Sequence, residues 1–538
     1  MSKAGGPASG VVRTWRSRLA GVLAGMALVF GPTAAMAAEE AAPSIDQRIN
    51  QAVQPVAQAL GGAIFSRACI GDGVSLSMSG CAEGQTGVPL IVVWLLLGGV
   101  VTTLYFRFIN FRGFAQGFRL MRGDYAVASD PGEVSHFQAL TSAVSGTVGL
   151  GNIAGVALAI TVGGPGAAFW MIVAGLLGMS TKFAECTLGV KYRQENPDGT
   201  VSGGPMYYLS RGLAERYRGL GGVGKVLAVV FAICSMLGGI GAGSMFQANQ
   251  AYAQFHALTG GVNGPLEGYG WAFGIGIAVL AGLVVLGGIT RIGSVTARLI
   301  PSMIVLYLLG CFAVLAVNIT ALPEAIAIIF RAAFSGEAAA GGVIGALLAG
   351  FQRAAFSNEA GLGSAAIAHS AVKTKHPATE GLVALWEPFV DTVIVCTATA
   401  LMVVVTGAYK LEGLEGVAIT SSAFATVFSW FPYLLTVAVF LFAFSTMLTW
   451  AYYGAKAATY ITGERRWVTN TYILVYLGAA VVACTMNLGQ LIDLSDGLIF
   501  LMAIPNLIGV YLLLPVVREE VDDYFAKLKS GEIRATRG

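Results

Sequence analysis

Eleven runs of about twenty apolar residues follow one another along this 538-residue chain, and that repetition constrains its fold more than any single motif. They lie near 88–106, 137–161, 166–190, 224–252, 268–288, 294–318, 342–368, 380–406, 424–456, 468–486 and 492–515. A helix needs roughly 20 such residues to cross a hydrocarbon core about 30 Å thick. Charged residues are only 11% of the chain, less than half of the roughly 25% usual in soluble proteins. That is too little charge to cover a water-facing surface of this size, so the exterior must face lipid. The chain reads as an all-α polytopic membrane protein. A formal net charge of +3 gives no reason to expect a nucleic-acid partner.

The N-terminus reads differently. Lys3, Arg13, Arg16 and Arg18 precede an apolar run from Leu19 to Phe30, and Ala34-Ala35-Met36-Ala37-Ala38 supplies the small residues of a signal-peptidase site. Residues 1–38 are therefore expected to be a signal peptide, with an uncleaved first helix as the alternative. Residues 39–87 then form a polar periplasmic arm carrying Cys69 and Cys81. An oxidising compartment permits a disulfide between them, and two free thiols are the other reading. The remaining cysteines, Cys186, Cys234, Cys311, Cys396 and Cys484, sit in apolar segments without metal-ligand spacing.

Lys and Arg sort the loops. They are concentrated around 107–136, 191–225, 289–298, 369–379, 457–467 and from 516 onward, whereas 253–267 and 487–491 have none, and 319–341 and 407–423 hold only Arg331 and Lys410. Positive loops stay cytoplasmic, so the alternation implies a periplasmic N-terminus and a cytoplasmic C-terminus. The run at 88–106 is then an extra N-terminal helix. The other ten divide into five plus five, residues 107–318 and 319–515, followed by a cytoplasmic tail at 516–538. An odd number of spans per half forces the halves to run in opposite directions, which is an inverted repeat.

The first helix of each half carries a matching interruption. One contains Gly146-Thr147-Val148-Gly149-Leu150-Gly151-Asn152, the other Ser357-Asn358-Glu359-Ala360-Gly361-Leu362-Gly363-Ser364. Each glycine costs about 1 kcal/mol relative to Ala in a helix, and lipid cannot satisfy the backbone groups a break exposes, so such a break must line a protein cavity. Close helix packing through small residues is the bland alternative. In secondary transporters, paired interruptions mark the binding site: half-helix amides attract a carboxylate, and free carbonyls attract a cation or an ammonium. Together these ends suit a zwitterion. Hydroxyls and amides of Thr147, Asn152, Ser357 and Asn358 add hard oxygen ligands for a small cation. No aspartate adjoins the glycines in sequence, so an ammonium would be held mainly by neutral oxygens. Gln247, Asn249 and Gln250 form another polar cluster at the end of an apolar run, and Thr446 and Trp450, four apart, place a hydroxyl and an aromatic wall on one helix face.

Ionisable residues inside spans are functional candidates by default. Lys182 and Glu185, one turn apart, read as a structural ion pair. Arg353 needs a partner, and Glu359, Glu387 and Asp391 are the candidates for a gate or scaffold network with it.

The stretches Thr147-Val148-Gly149-Leu150-Gly151-Asn152-Ile153-Ala154-Gly155-Val156-Ala157, Lys182-Phe183-Ala184-Glu185-Cys186-Thr187-Leu188, Gly203-Gly204-Pro205-Met206-Tyr207-Tyr208 and Phe356-Ser357-Asn358-Glu359-Ala360-Gly361-Leu362-Gly363-Ser364 resemble the alanine or glycine:cation symporter family. The resemblance extends over residues 88 to about 515. It implies a LeuT-type fold with discontinuous first and sixth core helices, Na⁺ as coupling ion with no further cofactor, uptake of alanine or glycine, and residence in the bacterial inner membrane. Substrate positions by this resemblance and the break chemistry are Thr147, Gly149, Gly151, Gln247, Asn358, Thr446 and Trp450. Sodium positions are Ser145, Val148, Asn152, Ser445 and Thr446.

A membrane-embedded hydrolase would need a nucleophile paired with a base, but His136, His256, His369 and His376 all fall at span ends or in loops. A channel or a sensor on the same fold is the third class, and proton coupling or a broader substrate range including D-alanine or serine is the variant within the first. N-terminal sequencing of the mature protein should find its first residue just after Ala38.

Overall fold

The computed structural model describes residues 45–535 apart from 71–73, 79, 83–84, 128, 197–198, 287, 336–341 and 464. The expected signal peptide, 1–38, lies outside the described residues. The apolar runs become helices, designated α2 (Leu90–Tyr105), α3 (His136–Thr147), α4 (Gly151–Gly163), α5 (Gly166–Lys191), α6 (Gly221–Leu258), α7 (Gly270–Val285), α8 (Gly288–Val317), α10 (Gly342–Asn358), α11 (Ala365–His369), α12 (Pro377–Thr406), α14 (Phe431–Thr462), α15 (Arg466–Ala483) and α16 (Leu488–Ser530). Six helices among the described residues are long and apolar enough to cross a membrane singly, and α3 with α4 is so only as a pair, bent by 54°. Among the elements outside the apolar runs are α1 (Ile45–Ile64), α9 (Leu322–Phe334) and α13 (Val417–Ala425).

The arm is folded. Strands β1 (Arg67–Ile70), β2 (Val74–Ser77) and β3 (Thr86–Pro89) make an antiparallel sheet with β1 in the middle, and Cys69 is joined to Cys81 by a disulfide. Helix α1 lies along the first turns of α16, and the Asn487 amide donates to Asn50 Oδ1 at 3.2 Å.

At the centre, α5 is enclosed by α2, α10, α11 and α12. Its second half, from Gly178 to Val190, is buried without interruption, which is why the charges of Lys182 and Glu185 must find partners inside the protein. Helix α3 starts at a capping box: Gln138 N donates to Ser135 Oγ and Ser135 N to Gln138 Oε1, satisfying two donors that a helix start leaves free.

The two interruptions arise by different means. Helix α3 ends as Val148 turns to φ −75°, ψ 85°, and α4 leaves at 54° to it. Neither Gly149 nor Gly151 has a positive φ. They are glycines for space: a Cβ on Gly149 would lie 2.6 Å from Thr446 Oγ1, and one on Gly151 would lie 3.3 Å from Ser357 Cα. Between α10 and α11, by contrast, Glu359, Gly361 and Gly363 have φ of 57°, 92° and 79°, a left-handed path that side chains with a Cβ resist. At Gly363 a Cβ would also meet Pro205 Cγ at 2.5 Å and Asn506 Oδ1 at 2.6 Å.

Gly363→Ala should therefore destabilise the protein by about 1–3 kcal/mol from backbone strain alone, read as a lower melting temperature in detergent. Gly222→Ala, where the added methyl meets nothing within 4 Å, should leave it unchanged.

Candidate functional site

Both breaks open onto α12, which widens into π-type turns over Phe389–Cys396, a distortion frequent at functional sites. Asn152, in the first turn of α4, uses its whole carboxamide. Gly149 N donates to its Oδ1 at 2.9 Å, and its Nδ2 donates to the Asp391 carbonyl at 3.0 Å and to Asp391 Oδ1 at 2.7 Å. The other carboxylate oxygen of Asp391 accepts from Ser357 Oγ at 2.9 Å and Thr392 Oγ1 at 2.7 Å. A carboxylate buried on this scale needs such donors in place of water. An acidic side chain thus stands at the meeting of the two breaks after all. It comes from α12, beyond the reach of any reading confined to the neighbours of the glycines.

Around this carboxylate the candidate substrate positions separate. Gln247 reaches the first break, where Leu150 N donates to its Oε1 at 3.0 Å. Asn358 lies beside the centre, its Nδ2 donating to Thr392 Oγ1 at 3.0 Å. Thr446 Oγ1 donates to the Ser145 carbonyl at 3.1 Å, and Ser145 Oγ donates to the Ser445 carbonyl at 3.0 Å. Ser145, Gly149, Ser445 and Thr446 are thereby drawn together where α3 ends against α14, with Val148 next to Gly149 in the chain. Ser445 Oγ itself donates back to Phe442 O within α14. Thr147 is not drawn in: its hydroxyl lies 3.4–3.5 Å from the carbonyls of Ala143 and Val144 on its own helix, the usual resting place of a threonine in a membrane helix. Trp450 packs against Gly243, where a Cβ would lie 2.2 Å from its own, and donates from Nε1 to Glu359 Oε1 at 3.0 Å. Asn152, Gln247, Ser357, Asp391, Thr446 and Trp450 are all at most 4% exposed, so the centre is closed to solvent on both sides. Asn249 and Gln250, farther along α6, line a separate cavity of about 600 Å³ together with Asn50 of α1.

The expected charge network is redistributed. Arg353 pairs with Asp496 of α16, and not with Glu359, Glu387 or Asp391. Lys182 passes over Glu185, one turn away, and donates to Glu387 Oε1 at 3.0 Å, while Glu185 accepts from Asn506 Nδ2 at 2.6 Å. Asn506 also holds the second break through the Gly361 carbonyl at 2.8 Å. Glu359 accepts from Ser364 and Trp450. His369, placed at a span end by the sequence, is completely buried between Glu380 and Glu387.

The profile of the sodium:alanine symporter family matches residues 72–537. This chain belongs to the sodium:alanine symporter family. Among its relatives is the sodium/alanine symporter AgcS of Methanococcus maripaludis, 38% identical over 436 residues that cover 80% of this chain and 93% of AgcS. An uncharacterized transporter of Haemophilus influenzae is 39% identical over 82% of this chain and 94% of its own length. A Bacillus subtilis protein named as a probable sodium/glutamine symporter, GlnT, is 33% identical over 84% of this chain and 91% of its own. Family membership gives the chain its activity: sodium and an amino acid cross the membrane together.

Asp496→Asn should cost about 1–3 kcal/mol, since the buried Arg353 guanidinium loses its direct partner and keeps the more distant Asp493. Arg353→Met combined with Asp496→Leu should recover most of that loss in thermal melts. Exchanging charges between Arg353 and Glu359, Glu387 or Asp391 should rescue nothing.

Proposed function

We propose that this protein is a secondary active symporter that imports alanine or glycine with Na⁺ across the bacterial inner membrane by alternating access. One observation carries the reading: two broken helices meet a buried carboxylate, Asp391, and bring Asn152 and Ser357 onto it. Each break supplies backbone groups that a helix would consume. Gly149 N and Leu150 N are bonded to the side-chain oxygens of Asn152 and Gln247, the kind of acceptor that a substrate carboxylate would replace. Asp391 and the surrounding carbonyls suit the substrate ammonium or the cation. Na⁺ would take the carbonyls of Ser145 and Val148, the hydroxyls of Ser445 and Thr446, and the Asn152 amide, all hard neutral oxygens.

Size selection follows from crowding. With Thr446 Oγ1 and Gln247 Oε1 within 3.0 Å of where a Gly149 Cβ would stand, and with Trp450 walled in behind them, the centre favours a substrate with little or no side chain. The name of GlnT, borne by a relative at 33% identity, favours a second reading in which the range extends to other neutral amino acids, D-alanine and serine included. Discrimination among substrates differing by one or two atoms is worth only about 1–3 kcal/mol.

The architecture we propose is eleven spans: an extra N-terminal helix and a five-plus-five inverted repeat, with the arm periplasmic and the Lys- and Arg-rich loops cytoplasmic. The first broken span is α3 with α4, and its counterpart is α10 with α11. Rocking of these with α5 and α12 would expose the centre to each side in turn.

Radiolabelled alanine uptake into proteoliposomes, with Na⁺, H⁺ and K⁺ gradients imposed one at a time, tests the reading. Only the Na⁺ gradient should drive accumulation, and Asn152→Ala should reduce Na⁺-stimulated uptake to background. Undiminished sodium dependence in that variant would overturn the assignment of Asn152, and flux that neither saturates nor shows counterflow would overturn the carrier.

A further inference from the structure

We propose that Glu380, held between His369 and His136, is the centre of a proton-binding site, and that the bound proton locks shut the face of the molecule we assign to the cytoplasm. The assignment rests on the transport reading above.

Five buried ionisable side chains form an unbroken chain. Lys182 Nζ of α5 donates to Glu387 Oε1 of α12 at 3.0 Å, and Glu387 Oε2 faces His369 Nε2 of α11 at 3.4 Å. His369 Nδ1 faces Glu380 Oε1 of α12 at 2.5 Å, and Glu380 Oε2 faces His136 Nδ1 at the start of α3. The first four are inaccessible to solvent, and His136 is 6% exposed. His136 also lines a cavity of about 410 Å³ with Thr379, His376, Lys375, Tyr524 and Arg534, so the chain runs from the neighbourhood of the second break to an opening.

Proton counting follows from this geometry. Both ring nitrogens of His369 face carboxylate oxygens, but a neutral imidazole has one N–H and one bare nitrogen. Without a further proton, a lone pair on the ring would face a lone pair on a carboxylate. Charge gives the same answer: one ammonium, Lys182, stands against two carboxylates, so the five groups are neutral only when one further proton is bound. The other charged or titratable groups around the four innermost are Glu185, Cys186, Arg193, Glu359 and Tyr453, and those sharing the cavity with His136 are Tyr125, Asp130, Lys373, Lys375, His376, Tyr524, Glu532 and Arg534. Arg193 is engaged by the carbonyls of Ser370 and Val372, Glu185 by Asn506, and Glu359 by Ser364 and Trp450.

The proton joins what would otherwise repel. While it is present, α3, α5, α11 and α12 are held at one end by a continuous set of hydrogen bonds. Discharge moves it outward without any other change of bonding. The His369 Nδ1–H bond breaks as an O–H bond forms on Glu380 Oε1, and that O–H bond breaks in turn as its proton passes to water entering from the cavity, while His136 keeps its Nδ1–H bond to Glu380 Oε2. An uncompensated buried negative charge remains, and the helix ends part. The ligand is thus a proton from the same side, and it acts as a brake on release of substrate there.

The test is Na⁺-driven alanine uptake by the full-length protein in uniformly oriented proteoliposomes, with the pH inside and outside set independently. Lowering the inner pH from about 10 to about 7, a window above the ordinary histidine range because two carboxylates face the His369 ring, should slow uptake about tenfold, while the same change outside should alter it less than twofold. Glu380→Gln and, separately, His369→Gln should flatten the inner dependence to within twofold, and either one suffices if the other fails to fold. A wild-type rate indifferent to inner pH, a response only to outer pH, or variants as sensitive as the wild type would each overturn the proposal. Should the wild type transport nothing at any pH, the transport reading fails, and titration of the purified protein decides the site: the wild type should take up one proton more than His369→Gln between about pH 10 and pH 7, and equal uptake would overturn it.

Discussion

A broken helix in a bilayer must be repaired by the protein itself, because lipid offers its freed amides and carbonyls nothing. Here the repairs come from side chains on other elements. Gln247 of α6 holds the Leu150 amide, Thr446 of α14 the Ser145 carbonyl, and Asn506 of α16 the Gly361 carbonyl. Each repair fixes the position of a neighbouring helix as well as the break. The centre is therefore both the weakest part of the backbone and the place where most helices are tied together, so a change that loosens one repair is felt by several spans.

The buried charges follow the same rule of local compensation. Arg353 meets Asp496, Lys182 meets Glu387, and Asp391 has three side-chain donors of its own. Neither ion pair sits on one helix. Since removing a single member leaves a charge stranded in low dielectric, these links specify which helix faces which, at a point where apolar packing alone discriminates poorly.

How far the sequence could be read follows from this arrangement. Features local in the chain were legible: the apolar runs that became α2 to α8, α10 to α12 and α14 to α16, the two Gly-Leu-Gly interruptions, the polar positions Asn152, Gln247, Ser357 and Thr446, and the proximity of Cys69 and Cys81. Partnerships between helices were not. Spacing favoured Glu185 for Lys182, yet a side chain that long reaches Glu387 instead. Asp391 was recognisable as a charge deep in a span, but only the packing of α12 against α4 brings it to the break. His136, His369 and Glu380 fell at the margins of the apolar runs, where a residue one step outside a span resembles a loop residue. A histidine adjoining a run that also opens on an acidic residue was the available signal. Helix α9 escaped because it is amphipathic and too short for a span, and the folded arm because it is polar.

The two breaks also differ in what they allow to vary. At Gly361 and Gly363 the backbone itself takes a path closed to other residues, so those positions are fixed whatever surrounds them. At Gly149 the backbone is ordinary, and only the volume taken by Thr446 and Gln247 excludes a side chain. That constraint belongs to three residues jointly and can be traded among them. A chain of this kind can thus reshape one wall of its binding centre through coordinated changes in side-chain volume while the opposite wall stays constant. Divergence in substrate range among relatives should be written in the combination at 149, 247 and 446, with the second break serving as the invariant frame against which that combination is read.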